Sequence, residues 1–167
     1  MADLLESLRQ SFADPITRHA MLVHFPIALG LFAIPFVAAL PFIRKRPAIA
    51  YRVLLATSLF GVGVIAWQGS EAGEAAETIV EARLPDQNAR DVLTRHAIQG
   101  ERIPLLLAGT SLLVFATLVP RRGVRLASGL LATAAMITTA VVITLAAHDG
   151  GRLVHHLDRP PAFRLLN

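Results

Sequence analysis

Long apolar runs separated by short charged breaks dominate the chain. Four are present: Met21 to Phe42, Ala48 to Trp67, Ile103 to Val119 and Val124 to Ala147, with only Arg52 interrupting the second. A helix needs about 20 such residues to cross ~30 Å of hydrocarbon. Three runs meet that length, and a helical pattern over Leu93 to Gln99 leads into the third, which is the shortest. Ahead of the first run, Leu4, Leu5, Leu8 and Phe12 recur at helical spacing opposite Asp3, Glu6 and Arg9, predicting an amphipathic helix over 1–14 that lies on the membrane surface or on a partner. Asp14-Pro15 then restarts the chain, since Pro is tolerated in a first helical turn. Pro35 removes a hydrogen bond in mid-membrane and predicts a kink. Past Trp67 the pattern stays helical but turns polar, with Glu71, Glu74 and Glu77 on one stripe.

The expected fold is therefore all-α, an integral membrane four-helix bundle in a single domain over 1–167. Its helices are predicted at 19–43, 48–82, 88–119 and 124–148, the second and third extending outside the membrane. Gly150 and Gly151 are expected to end the last helix and leave 149–167 as an external tail. The alternative, a soluble bundle, does not explain run lengths that match a bilayer.

Charge adds an orientation. The connections after runs one and three, with their flanks, carry Arg44, Lys45, Arg46, Arg52, Arg121, Arg122 and Arg125 and no acid, while all twelve Asp and Glu lie on the other side. Short basic connections are retained in the cytoplasm. Both termini and the long 68–102 connection are then external, in the periplasm of a bacterial inner membrane. The first fourteen residues lack the basic leader of a signal peptide. Basic residues divided between two faces give nucleic-acid binding no support. Partners are instead the lipid bilayer and other membrane subunits.

Composition narrows the chemistry. With 54% hydrophobic residues, 17% charged and no cysteine, the chain has no disulfide, thiolate metal site or covalently attached haem. No phosphate-binding loop, nucleophile elbow or HExxH motif is present, so the chain reads as a binding or structural protein rather than an enzyme. All six histidines are external or at the outer edge: His19, His24, His96, His148, His155 and His156. At ~1.5 Å per residue His24 lies ~5 Å inside the boundary and His148 ~2 Å outside, a matched pair, whereas His96 lies ~10 Å above unless its helix sits deeper than hydropathy indicates. His19 reads as a surface residue, and so do the consecutive His155 and His156.

Two chemistries fit His24, His96 and His148 with Glu74 and Glu77. Haem b needs two axial imidazoles on facing helices and small residues for room, a part Gly30, Gly61 and Gly63 can take. A transition-metal ion needs three or four ligands, which His and carboxylate supply. Arg18, Arg95 and Arg102 either neutralise the acids or hold haem propionates.

Val23-His-Phe-Pro-Ile-Ala-Leu29, Gly69-Ser-Glu-Ala-Gly-Glu-Ala-Ala-Glu77, His96 and His148-Asp-Gly-Gly-Arg-Leu-Val154 resemble the bacterial four-helix membrane proteins grouped as domain-of-unknown-function family 2231, over roughly residues 19 to 156. An aromatic, usually Tyr, follows the last motif in that family, and His155 stands there in this chain. The resemblance implies an inner-membrane protein near redox components and adds weight to His24, Glu77, His96 and His148 as a set. The expected function is an outward-facing His/carboxylate site that binds a metal ion or haem in support of membrane electron transfer or metal handling. The alternative is a cofactor-free accessory subunit of a larger respiratory or photosynthetic membrane complex.

Overall fold

A computed structural model describes residues 2–43 and 48–157; the basic turn at 44–47 and the tail beyond 157 lie outside the described residues. Five helices account for nearly all of that chain, and no strand occurs among the described residues: α1 (Ala2–Ala13), α2 (Pro15–Ala39), α3 (Ala48–Glu81), α4 (Gln87–Ala116) and α5 (Arg122–Leu157). Helices α2 to α5 pack in a closed ring, each on the next and α5 returning to α2, and α1 packs on α2. In this up-and-down bundle α2 lies diagonally across from α4.

The inside of the bundle is built from small and medium side chains, among them Ala33, Ala56, Ala132, Val37 and Leu107. The large apolar side chains point out: Phe32 is 67% exposed, Leu105 74% and Leu112 69%. A bundle facing water would bury these residues, whereas lipid is as apolar as a leucine, and close packing of small residues then holds the helices together. Ser111 adds a buried hydrogen bond across the α3/α4 interface, donating to the Ala56 carbonyl at 2.9 Å. Three helices are long and apolar enough to cross a membrane: Pro15–Ala39, Ile49–Glu81 and Arg122–His155. The remaining bundle helix, α4, is the one whose apolar part is cut short, by Gln99, Glu101 and Arg102 at its start and by the helix end at Ala116.

Local signals set the helix starts. Asp14 caps α2, its carboxylate accepting from the Thr17 amide at 2.8 Å and from the Thr17 hydroxyl. These bonds to Thr17, the side-chain one foremost, hold the Asp14 carboxyl below its ordinary value of 3.8. The cap's contribution is therefore fully present above the ordinary carboxyl value and is lost as pH falls through the lowered native one. Hydrogen-exchange protection of the first turn of α2 should drop below about pH 3.8, and Asp14→Ala should reproduce that drop at neutral pH. Unchanged protection in both cases would deny the cap its role.

At its far end α5 does not stop at the double glycine. Neither Gly150 nor Gly151 has positive φ, and the helix continues to Leu157. Tertiary packing overrides the glycine signal here. Leu153 joins Leu84, Ala89, Val92 and Leu93 in a small second core above the main one. Asp149, buried beneath them, faces Arg95 at 3.7 Å and Arg152 at 3.9 Å.

Candidate functional site

The acidic, histidine-rich end of the bundle encloses a cavity of about 460 Å³ between α2, α3, α4 and α5. Its walls are mostly apolar, with Gly73, Gly100, Gly150 and Gly151 among them. The volume falls within the range of small-molecule sites.

His19 and His96 enter this cavity from the two diagonal helices, and their ring centroids are 5.8 Å apart with planes at 81°. Each ring is anchored to a third or fourth helix. His19 Nδ1 lies 2.7 Å from the Gly69 carbonyl oxygen on α3, and His96 Nδ1 lies 2.9 Å from that of Ala146 on α5. A carbonyl oxygen can only accept, so Nδ1 carries the proton in both rings. Nε2 of the neutral ring is then left with its lone pair, the arrangement found in metal-ligating histidines.

Close approach of backbone makes these anchors possible. A Cβ on Gly73 would stand 2.8 Å from His19 Nδ1, and one on Gly150 would stand 3.1 Å from His96 Cε1. The glycines expected to give room do something else: Gly30 meets Ile143, Gly63 meets Leu107, and Gly61 faces open space, all deeper in the bundle.

The residues singled out from sequence are distributed as follows. Glu74 and Glu77 line the cavity, Glu74 exposed and Glu77 half-buried. His96 does sit deeper than hydropathy indicates, level with Ala146 at the end of the fourth apolar run. His24 lines the cavity from its edge, exposed, with Nδ1 donating to Ala20 of its own helix. His148 is exposed and is not part of the lining. The pair matched by depth is thus not the pair brought together. Depth ignores azimuth: at ~100° per residue His24 is turned ~140° from His19, and His148 is ~200° from the inward-facing Gly150. His19, read as a surface residue, is half-buried beneath Gly73.

Arg95 pairs with Asp149 rather than with the acidic stripe, and among the described residues no Arg or Lys lines the cavity. Its ionisable lining is His19, His24, His96, Glu74, Glu77 and Glu101. Among the described residues no three His, Asp or Glu converge as a ready metal cluster. No family model matches the chain, and neither a curated protein nor a solved structure shows significant similarity to it.

Proposed function

We propose that the chain is a four-span bacterial inner-membrane protein, both termini outside, that binds a transition-metal ion through Nε2 of His19 and His96 in support of membrane electron transfer or metal handling. The observation that carries this reading is the His19–His96 pair, two imidazoles from diagonal helices with Nδ1 occupied and Nε2 free inside one cavity. Imidazole suits zinc, copper, iron and nickel. The carboxylates in the lining, with no Arg or Lys beside them among the described residues, favour a cation as guest. In this reading the two imidazoles are the protein ligands and water fills the open positions, with Glu77, which lines the same cavity one turn beyond Gly73, as the nearest carboxylate in sequence to move in.

A haem is the second reading, and the glycine-lined volume with near-perpendicular rings favours it. Against it, the described lining holds three carboxylates and no Arg or Lys that would pair with propionates. Metal analysis and an absorption spectrum on one detergent-purified sample separate the cases. A stoichiometric ion without a Soret band is expected; a Soret band selects haem; neither returns the chain to a cofactor-free accessory role. The resemblance to family 2231 is in keeping with a redox or metal-handling setting.

The fourth span is argued from the bundle. His19 and His96 are level and α2 and α4 run in the same direction, so Ile103 stands beside the depth of Pro26, and both helices cross the same slab from there. Orientation is testable because the chain contains no cysteine. In intact cells a cysteine placed at Gln87 should react with a membrane-impermeant maleimide, and one at Arg122 only after the membrane is opened. The reverse pattern would overturn the proposed orientation.

A further inference from the structure

The seam between α2 and α5 carries two cavities in succession. The histidine cavity reaches it at Ala20 and His24 on α2 and at Ala147 and Gly151 on α5, all exposed, so the opening there lies on the side of the bundle. Further into the membrane, reaching ten residues (~15 Å) beyond His24 on α2, the same two helices form a shallow groove of about 290 Å³ lined by Ile34, Ile137, Ala140, Val141, Thr144 and Leu145. Ile27 on α2 and Ile143 on α5, both lining the inner wall of the histidine cavity, bridge the two levels. A niche at the membrane edge is thus followed, deeper along the same seam, by a separate apolar groove open to the hydrocarbon.

We propose that this seam binds a membrane-dissolved prenylated quinol, its ring at the side opening beside His24 and its chain in the groove below. His24 supplies the recognition. With Nδ1–H held by the Ala20 carbonyl, Nε2 of the neutral ring is a free acceptor facing a quinol hydroxyl, in a segment where an unused imidazole is costly. Small residues, Ala20, Ala147 and Gly151, flank His24 at this opening. Charge selects the class of amphiphile. A phospholipid or fatty acid brings an anionic head to a cavity whose far wall carries Glu74, Glu77 and Glu101 and which has no Arg or Lys among the described residues, whereas a quinol is neutral. The site does not depend on the identity or presence of the metal, because His24 lies outside the His19–His96 pair.

The test uses the full chain reconstituted in nanodiscs of uncharged lipid, with a radiolabelled decyl-ubiquinol as probe. Saturable binding at one probe per chain is expected. His24→Leu should weaken it roughly tenfold, the value of one lost hydrogen bond to a good acceptor. Val141→Trp, which fills the groove from its exposed side, should remove the advantage of the decyl chain and leave binding of a tail-less quinol unchanged. Palmitate and phosphatidylglycerol should not displace the probe. Absence of saturable binding, equal displacement by phosphatidylglycerol, or indifference to both substitutions would each overturn the proposal. Metal content, measured on the same samples, is expected to be unchanged in both variants; its loss from wild-type preparations would bear on the His19–His96 reading and not on this one.

Discussion

Replacing either His19 or His96 by Ala is expected to strip the metal from the purified protein, while His148→Ala leaves it bound. Losing an outer-shell partner of a metal ligand typically costs 10–100-fold in affinity, so losing one of two imidazole ligands should cost at least about 100-fold. Competition with a chelator of known affinity reads that change directly. Glu77→Gln should have a smaller effect, because water can take the position of a carboxylate that is half-exposed. Folding must be followed in parallel. Removal of the His96 ring takes one hydrogen bond from the Ala146 carbonyl, which keeps its helical partner, a net loss of about 0.5–1.5 kcal/mol. Retention of full metal content in both His19→Ala and His96→Ala would sink the assigned pair. Loss confined to His24→Ala and His148→Ala would instead restore the pair matched by depth.

That contrast marks what the amino-acid sequence could and could not disclose. Run lengths are a one-dimensional property, and they give the order of the four long helices and some of their limits: α3 ends within a residue of its expected limit, whereas α2 ends four residues early, at Ala39, and α5 runs nine residues past its expected end. They also place His96, Glu74 and Glu77 at one end of the bundle. A site, however, is set by azimuth and by backbone approach as well as by depth. His19 and His24 are ~7.5 Å apart along α2 and most of a half-turn apart in direction, and it is the facing of α2 toward α3 that turns His19 inward. The glycines that matter carried a signal that was legible in principle. Gly73 falls within the polar stripe of Glu71, Glu74 and Glu77, where a solvated helix has no use for glycine. Gly150 read as a helix terminator because local rules make it one. Leu153 and Asp149, by contacts remote in sequence, carried the helix on.

The second large effect belongs to those glycines, and it separates packing from binding. Gly73→Ala places a Cβ 2.8 Å from His19 Nδ1 and 2.9 Å from Cε1, closer than such atoms approach, so the ring must move. The ring is held at Gly69, and moving it breaks the bond that fixes its tautomer and aims Nε2. Stability should change little, because an Ala in a helix gains about 0.5–1 kcal/mol over Gly while the lost hydrogen bond costs about as much. Metal affinity should nevertheless fall by about 10–100-fold. Gly150→Ala, with its Cβ at 3.1 Å from His96 Cε1, should act in the same direction and more weakly. Gly100→Ala is the control, since nothing stands within 4 Å of its Cβ. It should raise the melting temperature slightly and leave the metal bound. If Gly73→Ala binds metal as tightly as Gly100→Ala does, the carbonyl-anchored His19 ring is not a ligand, whatever the histidine substitutions show.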